Sequence, residues 1–331
     1  MFKKYTSIEN SSRTGFINDI IEQGFDAVTY VVTEKIHGAN FGIAYDGREM
    51  IPQKRTTSLN LEDNFYGFQD LVKKYEDDIK KIYKLTGADR IIVYGEIFGG
   101  SYPHPDVKRE NVGMVQKGVY YNPKTDMIAF DILLGKDGDS SWVSYETVLT
   151  GIQPELEVLQ FVKPLFVGSF EDACNFNNEF STTIPALYKL PDIENNIAEG
   201  VVIKPYSTDF FLSTGSRVII KNKNEKWAEN ATQAKPTKSQ RVGLTDEEAE
   251  QLAVINTFVT DNRLKNVLSK IGPVTKTDFG KILTAFVDDV KEDFIKDYDM
   301  YDYGQIFGSH GRQSMALKIR KNFLNIIDGN F

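Results

Sequence analysis

The segment Val28-Thr29-Tyr30-Val31-Val32-Thr33-Glu34-Lys35-Ile36-His37-Gly38-Ala39-Asn40 joins an apolar strand to a glycine turn. Its first half alternates as a half-buried strand does, so Lys35 leaves the strand on the side to which Val31 points. At pH 7 only about one free lysine in 2,500 is neutral, and burial or a second cation would favour the nucleophilic amine. A surface lysine after an ordinary strand is the alternative, and this short motif alone does not exclude it.

The rest of the chain predicts strands first and helices afterwards, an α+β protein of about two domains. The boundary is expected between residues 1–236 and 237–331, in the polar, proline-containing segment 230–240. A capping box at Thr245–Glu248 predicts the start of the helical part. The predicted helices are Asp63 to Leu85, Ala249 to Val259, Thr277 to about Phe294 and Ser314 to Ile327. The predicted strands are Val28 to Thr33, Asn40 to Tyr45, Arg90 to Phe98, Met127 to Leu134, Gly200 to Ile203 and Arg217 to Lys221, with a hairpin turn at Asp46-Gly47.

Composition limits the function classes. A net charge of −8 over 331 residues argues against a protein that coats nucleic acid by bulk electrostatics. Cys174 is the single cysteine and there are three histidines, so no Cys/His zinc set can form and a metal site must use carboxylates. The N-terminus lacks the apolar region of a signal peptide and no segment is apolar enough to span a membrane, so we expect a cytoplasmic protein. The sequence contains neither a P-loop nor a dinucleotide fingerprint.

Basic residues concentrate after the apolar stretch Val218 to Ile220. Lys221 and Lys223 are two residues apart on a strand, so both ammonium groups leave the same face, an arrangement that suits a triphosphate. From Arg217 to Arg241 there are seven basic residues and two acidic ones, a local charge of +5 that favours phosphate binding. A strand fraying into solvent and a solvated linker are the alternatives.

Three further residues are candidates for a binding site. Glu96 lies in an apolar strand, where an unpaired carboxylate is rare, and ribose, a metal ion or a structural arginine would each explain it. Glu199 and Lys204 bracket a short buried strand, and each could equally form an internal salt bridge. Phe130 could stack on a base or belong to the core.

These motifs occur in a fixed order: K-x-H-G-x-N from Lys35, K-R-T at 54–56, G-E-x-F-G at 95–99, F-D-I at 130–132, E-G-x-V-I-K-P at 199–205 and I-I-K-N-K-N at 219–224. In this order the chain resembles the covalent nucleotidyltransferases, which include polynucleotide ligases and mRNA capping enzymes. More closely it resembles the RNA ligase 2 family of bacteriophages, which seals nicks in double-stranded RNA. The resemblance implies an antiparallel-sheet nucleotidyltransferase domain of the ATP-grasp-like ligase type, followed by a small all-helical domain.

The resemblance also implies roles for individual residues. Lys35 would attack ATP and carry AMP as a lysyl phosphoramidate, with Lys221 and Lys223 as the further catalytic residues that clamp the phosphates. Glu96 would bind ribose, Phe130 would stack on adenine, and Glu199 would lie close to the sugar and the metal ion. The implied nucleotide-binding set is completed by Glu34, Ile36, Asn40, Arg55 and Lys204. The implied RNA-binding set is His37, Arg55, Phe65, Tyr66, Arg263, Asp289 and Asp293. The implied cofactors are ATP and Mg²⁺, with Mn²⁺ as an alternative. The implied partner is nicked duplex RNA, and no membrane or protein partner is implied. The implied location is the cytoplasm, that of the host if the chain is phage-encoded.

The chain departs from the family pattern at three places. Ala39 replaces an expected threonine, and Tyr66 is the second member of the family's aromatic pair, a mild change. The stretch Ser101 to Gly118 is longer than in the phage prototype, and its Tyr102-Pro103-His104-Pro105 resembles mitochondrial RNA-editing ligases. An mRNA guanylyltransferase is an alternative, although such enzymes normally have aspartate where His37 stands. A DNA ligase would need an oligonucleotide-binding barrel where helices are predicted here, and an inactive RNA-binding relative is the non-enzymatic alternative.

Overall fold

The computed structural model describes residues 2–227, 246–297, 307 and 309–327. The chain divides into two compact units, Met1–Lys226 and Trp227–Phe331. The expected boundary between residues 236 and 237 lies outside the described residues and stays a prediction. Strands dominate the first unit and helices the second, which confirms the predicted α+β class. Of the helices within the described ranges, none is both long and apolar enough to cross a membrane.

The first unit contains ten strands: β1 (Glu9–Asn10), β2 (Tyr30–Glu34), β3 (Ala39–Tyr45), β4 (Met50–Lys54), β5 (Arg90–Phe98), β6 (Asp126–Lys136), β7 (Asp139–Trp142), β8 (Pro164–Gly168), β9 (Gly200–Pro205) and β10 (Ile220–Lys223). Sheet A has the order β1-β10-β9-β2-β8, and sheet B has the order β4-β3-β5-β6-β7. All neighbours are antiparallel except the short β1, which runs parallel to β10.

The helices follow in chain order: α1 (Thr14–Glu22), α2 (Phe68–Thr86), α3 (Tyr145–Thr147), α4 (Phe170–Cys174), α5 (Ile184–Leu187), α6 (Asp246–Thr257), α7 (Asp261–Ile271), α8 (Phe279–Asp297) and α9 (Ser309–Ile327). The helix predicted from Asp63 begins later because Tyr66 (φ 53°) and Gly67 (φ 69°) adopt left-handed backbone conformations, which end any helix before α2. The strand predicted from Arg217 begins at Ile220, and the other predicted strands agree with the structure to within a few residues.

Each sheet buries one face under helices. In sheet A the alternate residues Tyr30, Val32, Val201, Ile203 and Ile220 form a core with residues of α1 and α4. In sheet B the alternate residues Phe41, Ile43, Val93, Ile97 and Met127 form a core with α2. Because side chains alternate along a strand, the opposite faces carry the remaining residues, and many of these are polar. We call these opposite faces the inner faces.

The helical unit has its own core, which includes Ile255, Leu264, Phe286, Phe294 and Met315. Helix α7 was not predicted, although Thr260 caps it by accepting a hydrogen bond from the Arg263 N–H. The predicted helix from Thr277 is α8, preceded by a capping box between Thr275 and Asp278. The capping box expected at Thr245 lies outside the described residues.

Candidate active site

Lys35 follows β2 directly, and its backbone N–H continues the sheet by donating to the Gly200 carbonyl at 2.9 Å. Its Nζ lies 2.7 Å from Oε2 of Glu199, and 19% of its side chain is exposed. The amine is therefore placed by the sheet on one side and by a carboxylate on the other, while part of it remains accessible.

Glu199 is the centre of this cluster. Its Oε1 lies 2.7 Å from Nζ of Lys223, and its Oε2 lies 3.5 Å from Nδ1 of His37 as well as near Lys35. Burial opposes ionisation of Glu199, but Lys223, Lys35 and His37 outweigh it and hold the pKa of the carboxyl well below its usual range. Two lysines that are remote in sequence thus share the two oxygens of one buried carboxylate, which brings together Lys35 and Lys223 as the sequence predicted.

His37 is buried at the turn that follows Lys35. Its backbone N–H donates to the Tyr121 hydroxyl at 3.0 Å. Burial lowers the pKa of the imidazole, although Glu199 partly opposes this effect. The ring therefore faces Glu199 from the inside of the protein, and its expected contact with RNA stays a prediction.

Two glycines allow the chain segments of the site to come this close. A Cβ at Gly38 would lie 2.1 Å from the Ile97 carbonyl oxygen and 3.1 Å from the Glu96 Cγ. A Cβ at Gly200, which has a φ of +143°, would lie 2.2 Å from the Asn222 carbonyl oxygen. Both contacts are closer than any side chain tolerates, so the glycines that follow His37 and Glu199 are required by packing.

The inner face of sheet A carries the predicted phosphate-binding residues. Strand register pairs Lys221 with Val202 and Val202 with Thr33, so these residues share the face on which Lys35 and Lys223 lie. Val202 and Lys221 are half-buried. On the inner face of sheet B, Asn40 pairs with Glu96, and both side chains are half-buried. We refer to the space between the two inner faces as the cleft.

A β-bulge aims Phe130 at the cleft. Tyr94 pairs with Asp131 and Gly95 with Ala129, which leaves Phe130 as the extra residue of β6. Phe130 and Asp131 therefore both turn towards the inner face, where regular alternation would separate them. The Phe130 ring packs edge-on against Tyr5, with the ring centroids 5.0 Å apart, and is half-buried. Its expected stacking on adenine stays a prediction.

Asp131 forms a second buried cluster, in which Lys204 and Arg217 take part. Nζ of Lys204 lies 2.6 Å from Asp131 Oδ1 and 3.0 Å from the Phe130 carbonyl oxygen. The Arg217 guanidinium contacts both oxygens of Asp131, at 2.8 and 3.2 Å, and also Asp209 at 2.6 Å. The interpretation of Arg217 as part of a phosphate-binding stretch is wrong, because its side chain is fully buried in ion pairs. Lys235, Lys238 and Arg241 lie outside the described residues.

Three residues of the predicted nucleotide-binding set are buried or hydrogen-bonded within the protein. The carboxylate of Glu34 is buried and accepts hydrogen bonds from the Thr182 hydroxyl and from N–H and hydroxyl of Thr183. Ile36 is buried. The half-buried Arg55 donates through Nη1 to the carbonyl oxygens of Tyr5 and Thr6, at 3.1 and 3.4 Å. These contacts hold the surroundings of Lys35 in place, and the expected contacts with nucleotide stay predictions.

The predicted RNA-binding pair Phe65 and Tyr66 precedes α2. Phe65 is 1% exposed and belongs to the core beneath sheet B, next to Phe41. Tyr66 is half-buried, and burial raises the pKa of its hydroxyl to about 12. The structure shows a packing role for Phe65, and the contact of either ring with RNA stays a prediction.

In the helical unit the structure brings together the three residues that the resemblance singled out. The buried Arg263 guanidinium lies 2.7 Å from Asp289 Oδ2 and 3.0 Å from Asp293 Oδ2. Lys270 also binds Asp289, and Lys296 lies 3.5 Å from Asp293. The three predicted residues thus form an ion-pair network, and their role in RNA sealing stays a prediction.

The cleft offers one or two carboxylates as ligands for a metal ion. Across the part of the chain that the structure describes, no group of three or more His, Cys, Asp or Glu side chains is arranged to hold a metal ion. Mg²⁺ usually keeps several waters and binds through one or two carboxylates together with substrate phosphates. Glu199, beside Lys35 and Lys223, and the half-buried Glu96 on the inner face of sheet B are carboxylates of this kind.

Comparison with known proteins assigns the chain to a family. The sequence profile described as RNA ligase matches residues 28–223, which is more than half of the chain. The chain belongs to the RNA ligase family. A second profile, described as T4 RNA ligase 2 C-terminal, matches residues 242–322. The resemblance to the RNA ligase 2 family and the prediction that the chain is a ligase are therefore confirmed.

Two curated members of this family cover most of the chain. RNA-editing ligase 2, mitochondrial, from Trypanosoma brucei brucei is 27% identical over 90% of this chain and 84% of its own length. RNA-editing ligase 1, mitochondrial, from the same organism is 27% identical over 90% of this chain and 76% of its own length.

Solved RNA ligase structures from Naegleria gruberi are also similar. A mutant described as apo matches with a TM-score of 0.47 and 13% identity over 68% of this chain, and a mutant with ATP and Mn matches with a TM-score of 0.46 and 13% identity. The match spans a little over half of each of these chains, 57% of its length.

In this RNA ligase family member, sequence reasoning missed Tyr121 and Val202 as parts of the site, and Asp131 as the anion of the neighbouring buried cluster. Val202 has a signal in the sequence, because it lies three residues after Glu199 on β9 and shares a face with Lys204. Tyr121 has no such signal, because it belongs to no strand or helix. Its place beside His37 follows only from the fold.

Proposed function

We propose that this chain is an ATP-dependent RNA ligase that forms a lysyl-AMP intermediate on Lys35 and seals nicks in duplex RNA. One observation carries the proposal. In a chain of the RNA ligase family, the Lys35 and Lys223 amines lie on the two oxygens of one buried carboxylate, and Lys35 remains accessible from the cleft. The names of the curated relatives, both RNA-editing ligases, support RNA as the substrate.

In the first step the Lys35 amine forms a bond to the α-phosphorus of ATP, the bond to pyrophosphate breaks, and a proton leaves the amine. Glu199 keeps the amine in place, with its oxygens shared between Lys35 and Lys223. Lys223 and Lys221, which leave the same strand face, would neutralise charge on the phosphates. The half-buried Phe130 would stack on adenine, and Glu96 would bind the ribose.

In the second step an oxygen of the RNA 5′-phosphate attacks the phosphorus of lysyl-AMP, and the Lys35 amine leaves with a proton. In the third step the neighbouring 3′-hydroxyl loses its proton to solvent and attacks the 5′-phosphorus, a phosphodiester bond forms, and the bond to AMP breaks so that AMP departs. These steps need positioning and charge neutralisation more than acid–base catalysis. A bound Mg²⁺ supplies charge neutralisation at the phosphates, and Glu199 and Glu96 would hold it.

The test begins with adenylylation. The purified protein is incubated with Mg²⁺ and α-³²P-labelled ATP or GTP, and label retained by the denatured chain is measured. We expect labelling by ATP that is lost in Lys35→Ala and retained in Lys74→Ala. Lys74 is a matched control because it also pairs with a buried carboxylate, Asp126, but belongs to α2 on the other side of sheet B. Labelling by GTP alone would favour a guanylyltransferase, and no labelling would favour an inactive relative.

The second stage of the test assigns the substrate. Nicked duplex RNA, single-stranded RNA and nicked duplex DNA are compared at equal concentration with adenylylated protein. The proposal expects the fastest sealing of nicked RNA. Equal rates on DNA, or faster joining of single strands, would contradict the duplex RNA assignment. A cytoplasmic location, in the host if the chain is phage-encoded, belongs to the same proposal.

A further inference from the structure

Tyr121 connects two segments of the site. It lies between β5 and β6, its ring is completely buried, and it packs edge-on against Phe98 with the centroids 5.2 Å apart. Its hydroxyl accepts the hydrogen bond from the His37 N–H at 3.0 Å. That N–H belongs to the turn that carries Lys35, so the hydroxyl is attached to the segment of the proposed nucleophile.

The segment of Glu199 holds Tyr121 from the other side. Asn196, three residues before Glu199, accepts a hydrogen bond from the Tyr120 N–H at 2.8 Å and donates to the Tyr120 carbonyl at 2.7 Å. Asn196 is 5% exposed, so its side-chain amide is largely shielded from water. Tyr121 is therefore fixed relative to Glu199, and through its hydroxyl it fixes the turn that contains Lys35 and His37.

The surroundings of the Tyr121 hydroxyl favour a neutral phenol at this position. Burial, together with the nearby carboxylates of Glu34, Glu199 and Glu96, raises the pKa of Tyr121 well above its ordinary value, although the His37 N–H opposes this shift. The group therefore stays neutral at physiological pH. It accepts the His37 N–H without placing another negative charge beside Glu199.

We infer that Tyr121 is a positioning residue for the transfer of AMP to Lys35, acting through the turn Lys35-Ile36-His37-Gly38. This inference rests on the proposed function. Group transfer depends on reacting atoms being held within a fraction of an ångström, and a misplacement of about 1 Å costs on the order of 100-fold in rate. Nothing in the proposed chemistry requires Tyr121 to contact the nucleotide.

The experiment compares Tyr121→Phe with Tyr30→Phe. Tyr30 is a matched control: it is completely buried, its hydroxyl donates to the Phe25 carbonyl at 3.0 Å, and its side chain belongs to the core on the far face of sheet A. Single-turnover labelling of the protein is measured over a range of ATP concentrations. For Tyr121→Phe we expect a rate at saturating ATP lowered about 10-fold or more, with the half-saturating ATP concentration unchanged. For Tyr30→Phe we expect a rate within about twofold of wild type, although both variants lose a hydrogen bond made by a completely buried tyrosine.

A second measurement does not depend on labelling. The imidazole NMR signals of His37 are recorded in wild type and in both variants, which is practical because the chain has three histidines. We expect a shift of the His37 signals in Tyr121→Phe and none in Tyr30→Phe. If the wild-type protein forms no adduct, the proposed function fails. The His37 signals still test whether Tyr121 positions the turn that contains His37. A wild-type rate or unmoved His37 signals in Tyr121→Phe would overturn the inference.

Discussion

Two of the buried carboxylates in the first unit, Glu199 and Asp131, are alike in their chemistry. Glu199 binds Lys35 and Lys223, and Asp131 binds Lys204 and Arg217. For both, burial opposes ionisation while the basic partners outweigh it, so the pKa of each carboxyl is lowered. Charge and burial of the carboxylate alone therefore do not separate a candidate active site from a structural ion pair.

The difference lies in the partners. Around Asp131 the Arg217 side chain is 0% exposed and that of Lys204 is 6% exposed, and the Tyr5 hydroxyl supplies a further hydrogen bond. Around Glu199 the Lys223 side chain is about as enclosed as that of Lys204, at 7% exposed, but the Lys35 side chain is 19% exposed and opens on the cleft. A partly exposed cation exchanges its partner for a substrate phosphate more readily than an enclosed one. Access of the cation is thus what distinguishes the two clusters.

The largest expected effect is on catalysis at the open cluster. Lys35→Arg keeps a positive charge beside Glu199 but has no neutral amine at pH 7, because arginine stays protonated. We expect labelling by ATP to fall by at least about 10³-fold while the melting temperature changes little. Quantitative labelling and thermal unfolding of the same samples check this. Retained labelling would show that another residue is the nucleophile.

The next effect is on stability at the closed cluster. Asp131→Asn leaves the buried Lys204 without its anion and Arg217 with Asp209 alone, and we expect a loss of about 3–5 kcal/mol in the free energy of unfolding. Urea unfolding followed by circular dichroism measures it. Lys74→Ala removes a more exposed partner of Asp126, and its loss should be smaller. A loss below that of Lys74→Ala would contradict the structural role of the Asp131 cluster.

A smaller effect is expected where the closed cluster meets the cleft. Lys204 donates to the Phe130 carbonyl, so Phe130 connects the Asp131 cluster to the proposed adenine site. Phe130→Ala removes an aromatic ring that would stack on adenine, a loss of about 1–3 kcal/mol. We expect the half-saturating ATP concentration to rise about 10-fold, and Phe130→Tyr to retain most of the affinity. Unchanged ATP dependence in Phe130→Ala would remove Phe130 from the adenine site.

The smallest expected effect is on the free energy of unfolding at acidic pH. The pKa of both Glu199 and Asp131 is lower in the folded state, so their contribution to stability is complete above the unfolded values of about 4.3 and 3.9 and is lost as the pH falls below them. The difference in unfolding free energy between wild type and Asp131→Asn should therefore narrow, by about 1–2 kcal/mol, between pH 6 and pH 3. Urea unfolding at four pH values tests this. A constant difference would contradict the lowered pKa.

Sequence patterns predicted the parts of this protein that depend on local order along the chain. Alternation from Tyr30 to Lys35 placed Lys35 on the correct strand face, and the spacing of Lys221 and Lys223 placed both on one face of β10. The sequence also predicted a glycine turn after His37, where the structure shows a close approach of Gly38 to the Ile97 carbonyl oxygen. The order of the motifs was sufficient to indicate the family.

Other features could not be predicted, because they depend on residues that are distant in sequence. Arg217 belongs to a basic stretch of sequence, yet its side chain is buried in an ion pair with Asp131, which lies 86 positions away. Arg263 is buried by Asp289 and Asp293 of another helix. The bulge at Phe130 breaks the alternation on which strand predictions rely, and it is visible only from the pairing of β5 with β6.

The sequence by itself determined the strands that carry the candidate site residues, which lysines share a strand face, and the family, because these follow from short-range periodicity and motif order. Only the tertiary structure decided which carboxylate lies between Lys35 and Lys223, and which basic residues stay accessible. The physical reason is that the free energy of an ionised group depends on its burial and on partners brought near by sheet pairing, and neither quantity is encoded in any local stretch of the chain.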